Sequence, residues 1–368
     1  MVDWFAGKRV RGTSSERSGF GLSLGGTGVG GWVELARTTL GGTSDSIDVT
    51  SLPDKRYYMV LSNCLTDGSG NILVAHRYNG DSGYNYQWRY SIDGGSDSIG
   101  NANLEEHIST AAINDNSDKF SVSYIANKSD KEKLEIAWGV GRNTAGAGTA
   151  PRRSEHVGKW VNTSNAINRI YTFERGQSGT YATGSEVVVL GYDPADTHTN
   201  NFWEELASVD LSGGAATSLS SGNFTSKKYL WVQGYIEHSG AAGYGIMRVG
   251  NSSVDTGSNY ATRVSFDGGA DATYTSQTSY PYILGNGAGP AVFEGFFNMF
   301  IINNASNEKL IIAHNNFFYT TVGPTNAGQR HELAMKWANT SNQIDIIELS
   351  RTSGNFGTNT SIKVWGAD

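Results

Sequence analysis

The chain has 368 residues, of which 17% are charged, 11% are aromatic and 47 are glycine, and its formal net charge is -7. Because glycine is about twice as frequent as usual and charge falls well below the usual ~25%, the composition excludes a charged helical bundle, a coiled coil and a disordered acidic tail. The acidic balance argues against a dedicated nucleic-acid-binding protein, whose surface would be basic. A single cysteine, Cys64, excludes an intrachain disulfide framework, and we expect it to be a small buried apolar residue.

The first thirty residues differ in composition from the rest of the chain. Two aromatic side chains are followed by four basic ones and then by a glycine-rich stretch: Trp4, Phe5, Lys8, Arg9, Arg11 and Arg17. This segment has too little apolar surface for a core of its own. We expect residues 1–30 to be an extended arm that anchors the chain to a partner through these six side chains, with a frayed terminus as the alternative. The chain shows no secretory signal and no run of about 18 apolar residues, so we expect synthesis in a cytoplasm and no membrane span.

The remainder of the chain repeats itself in order. Matching segments include residues 81–97 with 255–271, 132–137 with 308–313, and 159–165 with 336–342. The offset between partners drifts by only a few residues, which indicates insertions in loops. We expect two tandem homologous modules, residues 31–193 and 201–368, joined by a linker at 194–200.

Each module has the pattern of an all-β domain. Strand-like patterns of β-branched and aromatic residues occur at 57–61, 120–125 and 333–337, and short continuous apolar runs occur at 187–190 and 310–313. Asp-Gly and Asn-Gly pairs between them are typical of tight hairpin turns. The sequence therefore predicts two β-sandwiches, jelly-roll-like in architecture, preceded by the extended arm.

Acidic residues recur at equivalent places in both halves, and they allow three interpretations. They are Asp93, Asp97, Asp267 and Asp271. The favoured interpretation is a turn whose aspartate caps the local backbone, because a structural turn is needed in every copy of a fold. Carboxylates in this arrangement could also bind a calcium ion, or act as the acid and base of a glycosidase.

A group of aromatic residues in the first module precedes a repeated arginine: Tyr84, Tyr86, Trp88 and Arg89. The rings could stack on a sugar, and an arginine beside tyrosine suits a partner interface. The favoured interpretations are core packing for the rings and a clamp to aspartate for Arg89 and its counterpart Arg263. Because the second module keeps only Tyr260 of the three aromatics, sugar binding at this patch would belong to the first module.

The familiar catalytic and cofactor motifs do not occur in a usable context. A formal G-x-G-x-x-G at residues 26–31 lacks the preceding strand and following helix that a dinucleotide needs. The seven histidines show no zinc spacing, and there is no G-x-S-x-G nucleophile turn. We therefore expect no cofactor and no enzyme activity.

Several phrases of the sequence are similar to a known group of proteins. They stand at residues 8–14, 35–41, 81–86, 145–151, 158–164 and 184–191. These phrases resemble segments that recur in uncharacterised virion-type proteins of marine tailed phages. The resemblance implies a structural protein on a head or tail surface and implies no catalytic residue.

These observations lead to one main hypothesis and two alternatives. We expect a non-enzymatic virion protein, either a capsid decoration protein or a head or tail fibre subunit, made in the host cytoplasm and anchored by its arm. Its partners would be other virion proteins and further copies of itself, for example in a trimer. The first alternative is a carbohydrate-binding protein that attaches to a host surface glycan, and the second is a glycosidase.

Overall fold

The structure is a computed structural model that describes residues 31–100, 105–176, 178–193, 201–239, 243–285, 293–319 and 327–368. The six arm residues Trp4, Phe5, Lys8, Arg9, Arg11 and Arg17, and the linker at 194–200, lie outside these ranges. The described ranges form strands and connecting loops without any helix, so none that could cross a membrane occurs among them. The all-β prediction is confirmed.

The first module contains twelve strands. In chain order they are β1 (Val33–Thr39), β2 (Ser46–Val49), β3 (Tyr57–Cys64), β4 (Ile72–Tyr78), β5 (Tyr86–Ile92), β6 (Ser98–Ile99), β7 (Ile108–Asp115), β8 (Lys119–Ala126), β9 (Lys133–Gly141), β10 (Arg152–Trp160), β11 (Ile170–Phe173) and β12 (Glu186–Tyr192). They form a large sheet in the order β1-β12-β3-β8-β9-β10-β5-β6 and a small sheet in the order β2-β11-β4-β7.

The second module continues with fourteen described strands. They are β13 (Glu204–Asp210), β14 (Ser218–Ser220), β15 (Tyr229–Ser239), β16 (Gly245–Asn251), β17 (Ser253–Val254), β18 (Tyr260–Phe266), β19 (Ala272–Gln277), β20 (Tyr280–Leu284), β21 (Phe293–Ile302), β22 (Lys309–Tyr319), β23 (Gln329–Trp337), β24 (Ile346–Arg351), β25 (Asn355–Phe356) and β26 (Ser361–Ala367). The path of its large sheet is β13-β26-β15-β21-β22-β23-β18-β19, which matches the first module strand for strand. Each half is thus an antiparallel β-sandwich, as the sequence predicted.

The strand registers define equivalent positions in the two modules. In the first module Tyr57 is opposite Ala126, and Leu134 is opposite both Ala126 and Lys159. In the second module Tyr229, Ile302, Leu310 and Lys336 are paired in the same way. Leu134 therefore corresponds to Leu310, and every other residue of the large sheets can be matched by counting from this row.

A buried lysine closes the same loop in each module. The ammonium group of Lys133 donates to the carbonyl oxygens of Ser129, Lys131 and Asn162 at 2.8–3.3 Å, and that of Lys309 donates to those of Ala305, Asn307 and Asn339 at 2.8–3.1 Å. Burial lowers the pKa of Lys309 to about 8. Carbonyl oxygens offset part of the cost of burying the charge, so each lysine stabilises its loop.

The modules contact each other through the outer faces of their large sheets, meaning the faces turned away from the small sheets. Met59, Leu61 and Val122 from the first module form one buried cluster with Phe300 and Ile312 from the second. This contact explains the continuous apolar run at residues 187–190. Val187 and Val189 point into the core of their own sandwich, while Val188 and Leu190 point into the contact between modules. The molecule therefore has four layers of sheet.

Candidate functional site

Asp93 and Asp267 are turn residues. Asp93 and Gly94 have φ angles of 53° and 72°, and Asp267 and Gly268 have 54° and 74°, as in a type I′ hairpin turn. Each carboxylate accepts a hydrogen bond from the backbone of the neighbouring strand, from Arg153 N on β10 and Arg330 N on β23 respectively, both at 2.9 Å. The interpretation of these repeated aspartates as structural turns is confirmed.

The acidic residues also supply an ion cluster between the modules. Arg153 of the first module donates to the carboxylate of Asp271 at 2.7 and 3.3 Å and to Glu332 at 3.2 Å. In the other direction, Arg263 Nε lies 3.2 Å from Asp93 Oδ1 and donates to the carbonyl oxygen of Pro151 at 2.8 Å. The side chains of Arg153 and Asp271 are 7% and 1% exposed, so this cluster is part of the buried contact.

The electrostatics of the cluster follow from its burial. Burial by itself lowers the pKa of Arg153, but the hydrogen bond that it donates to Asp271 and the charges of nearby carboxylates raise this pKa above its ordinary value. Glu155, which accepts a hydrogen bond from Arg153 at 2.6 Å, has its pKa raised to about 7 by burial and by neighbouring Glu332. Arg153 is thus the cation that holds several carboxylates at one interface.

The metal and glycosidase interpretations find no support in this geometry. Asp93 and Asp271 are bound to arginines, while Asp97 is exposed and lies 3.8 Å from Arg89. Across the described ranges there is no group of three or more His, Cys, Asp or Glu side chains placed to hold a metal ion. At Asp93 and Asp271 a guanidinium group occupies the position in which a metal ion would bind the carboxylate.

The proposed sugar patch in the first module is not formed. Tyr86 and Trp88 alternate along β5 on the side that faces the core, where they are 3% and 5% exposed. Tyr86 stacks on Trp160, and Trp88 packs on Tyr90 with ring centroids 4.7 Å apart. Only Tyr84, in the preceding loop, and Arg89, on the outer face, are exposed. For Tyr86 and Trp88 the core-packing interpretation is confirmed, and these two rings do not form an exposed platform for a sugar.

The first module contains a buried row of hydrogen-bonded polar side chains that the sequence did not predict. Ser62 Oγ lies 3.4 Å from His76 Nε2, His76 Nδ1 lies 3.3 Å from Glu135 Oε1, and Tyr78 donates to the other oxygen of Glu135. The connectivity is that of a serine, histidine and acid triad. All four side chains are at most 1% exposed and lie between the two sheets, so a substrate has no access to them.

The second module shows that this polar chain is not needed by the fold. Its equivalent positions carry Gly234, Met247, Val249 and Ile311. The large-sheet registers give Gly234 and Ile311. Tyr78 N and Val249 N donate to the equivalent tyrosine hydroxyls of the two modules, which aligns β4 with β16. The four polar residues lie on three different strands, and Glu135 is 59 positions from His76, so no local spacing predicts the contact. Cys64 lies in the same core, where burial raises the pKa of its thiol to about 12, and its prediction as a buried apolar residue is confirmed.

The loop between β9 and β10 binds the second module. Lys336 donates to the carbonyl oxygens of Arg142 and Thr144 at 3.0 and 2.6 Å, and Glu308 accepts a hydrogen bond from the backbone of Gly146 at 2.5 Å. The glycine-rich phrase at residues 145–151 therefore serves the contact between the modules.

No protein-family model and no curated protein sequence matches the chain. Among solved structures, domains LG4-5 of the mouse laminin alpha1 chain are 11% identical, with 92% of each chain covered and a TM-score of 0.19. The LG1-3 region of the laminin alpha2 chain is 9% identical, with 88% of this chain and 64% of that chain covered and a TM-score of 0.22. At these TM-scores the likenesses carry no functional argument.

Proposed function

We propose that the chain is a non-catalytic structural protein of a tailed-phage virion, either a capsid decoration protein or a head or tail fibre subunit. The observation that carries the proposal is that the side chains considered for catalysis or binding are mostly buried or paired within the protein. In the described ranges, the repeated aspartates bind arginines or the backbone, the serine–histidine–glutamate chain is enclosed, and Tyr86 and Trp88 are packed in the core. Side chains committed to holding two sandwiches together suit a scaffold.

The form of the molecule supports the same role. Two sandwiches that share an apolar contact, an ion cluster and a loop hydrogen-bonded across the modules make a stiff unit. A stiff unit loses little conformational entropy when it binds to a surface, and symmetric assembly multiplies weak contacts. An anchoring arm at residues 1–30 would supply the attachment.

The test changes the arm within the full chain. Replacing Trp4 and Phe5 with alanine should leave the unfolding transition unchanged and abolish incorporation into particles. Replacing Tyr84, an exposed aromatic residue outside the arm, with alanine is the matched control and should leave incorporation unchanged. Normal incorporation of the arm variant would refute anchoring by the arm.

Carbohydrate binding is the second candidate, and it now rests on the second module. Tyr244, Tyr274 and Tyr282 form a half-buried group in which the rings of Tyr244 and Tyr282 stack at 4.4 Å. Tyr282 also has a φ of 59°, a strained conformation for an aromatic residue. A glycan array probed with the full chain would support this function only if Tyr244→Ala removed the signal and Tyr84→Ala did not.

A further inference from the structure

The outer face of the first module's large sheet has an apolar region, beside the contact between modules, that no other part of the described ranges covers. We call the residues Ile99, Leu134, Ile136 and Val157 the exposed apolar face; their exposed fractions are 52%, 55%, 48% and 49%. Single apolar residues on a surface are common, but a contiguous patch marks an interaction site.

The strand register makes this face continuous. Ile136 is directly opposite Val157, Val157 is opposite Arg89, and Arg89 is opposite Ile99. One row thus crosses four adjacent strands, and the aliphatic stem of Arg89 joins the apolar side chains. Leu134 and Ile136 line an open groove of about 450 Å³ on one side and a second groove of about 380 Å³, walled by Tyr57 and Tyr124, on the other.

The second module buries the counterparts of three of these residues. Leu134, Ile136 and Val157 correspond to Leu310, Ile312 and Ala334, which are 2%, 4% and 1% exposed because they pack against the first module. The two modules therefore use the same part of one sandwich face differently. The second module has it covered by a sheet of this fold, while the first module has it open.

The polar residues beside the face also contact the other module in the second module and are exposed in the first. Lys336 and Glu308 hold the loop of the first module, and their counterparts are Lys159 and Glu132. These two pair with each other at 3.0 Å, with side chains 44% and 41% exposed. The first module thus carries an apolar face with both hydrogen-bonding groups in place and open to solvent.

We propose that a second copy of this chain covers the exposed apolar face, through the same face of its own first module. Two observations favour this occupant. The face continues an interface in which outer sheet faces of this fold already pack together. Its margin carries both charge signs, Lys159 with Glu132 and Arg89 with Asp97, so it is complementary to itself. Identical faces that pair in this way give a closed two-fold dimer. This inference goes beyond the virion role and does not depend on it.

The experiment is sedimentation velocity of the full chain from low to high micromolar concentration. The wild type should dimerise, and Ile136→Glu should weaken dimerisation at least about tenfold, because a desolvated charge at the centre of an interface is costly. Leu134→Lys is the second variant, and it should behave in the same way. Phe296→Glu is the matched control, since Phe296 is 47% exposed on the outer face of the other module and should leave the dimer intact.

Each other result overturns the proposal or places the contact elsewhere. A wild type that stays monomeric at all concentrations would overturn the proposal. If deletion of residues 1–30 then produced a dimer, the arm would be the occupant. Dimerisation lost equally in Phe296→Glu would place the contact on the second module, and dimerisation unchanged in both Ile136→Glu and Leu134→Lys would place it away from this face. Unfolding transitions equal to that of the wild type would show that each variant folds.

Discussion

The ion cluster between the modules predicts a large effect from one substitution. Arg153→Met keeps much of the aliphatic stem and removes the guanidinium that contacts Asp271, Glu332 and Glu155. The Asp271 side chain is 1% exposed, and its remaining cationic neighbour, Arg263, lies 3.9 Å away. The substitution therefore leaves a buried carboxylate with a weaker partner.

The magnitude follows from that burial. Removing one partner of a buried ion pair costs about 3–5 kcal/mol, and the nearby Arg263 favours the lower end, so we expect a loss of about 3 kcal/mol. This is a large part of the ~5–15 kcal/mol that stabilises a typical domain. Replacing Asp271 with leucine in the same chain should restore most of the loss, because the unpaired charge is then gone.

The assay is urea unfolding followed by tryptophan fluorescence, with Arg89→Met as the matched control. Arg89 is 55% exposed and 3.8 Å from Asp97, so its loss should cost less than about 1 kcal/mol. Equal and small effects of the two substitutions would show that Arg153 is solvated in solution, and would refute the buried contact between modules.

Three further predictions concern single residues. Burial lowers the pKa of His156 to about 3 from 6.5. The contribution of the neutral imidazole to stability is therefore complete above pH 6.5 and is lost as the pH falls towards 3. The loss is up to ~1.4 kcal/mol per pH unit. His156→Asn should reduce this dependence in urea midpoints measured at pH 7 and pH 5, and an unchanged dependence would contradict the assignment. Lys133→Met should lower stability by about 2 kcal/mol because three carbonyl oxygens lose their donor, whereas Lys131→Met, at an exposed lysine, should have no effect on the thermal midpoint. Gly94→Ala should lower the free energy of unfolding more than Gly268→Ala, although both glycines have φ near 70°. A Cβ at Gly94 would lie 2.5 Å from a buried carboxylate, whereas a Cβ at Gly268 would meet only the end of an exposed arginine side chain. Equal losses of stability would contradict the packing at Gly94.

The fold could be predicted because its signals are local. Asp93-Gly94 and Asp267-Gly268 are turn pairs whatever surrounds them, and the aromatic and β-branched residues at 57–61 favour a strand. The run at residues 187–190 correctly indicated a strand buried on both faces. The sequence did not show that the second covering layer is the other module, because that depends on the outer faces of two sheets meeting.

The candidate sites were harder to predict, because they depend on which side of a strand a residue occupies. Tyr86 and Trp88 are spaced by two, and with Tyr90 they continue an alternation that points into the core. That alternation could have excluded the sugar patch. The contact between Arg153 and Asp271 joins residues 118 positions apart, and that between His76 and Glu135 joins residues 59 apart. No spacing rule reaches such pairs.

Mass spectrometry of purified phage particles tests the virion role most directly. If the chain is a decoration protein or a fibre subunit, it should be present in intact particles at a fixed ratio to the major structural protein, and should remain after washing in high salt. Complete absence of the chain from particles, while it accumulates in the lysate of the infected host, would contradict the account.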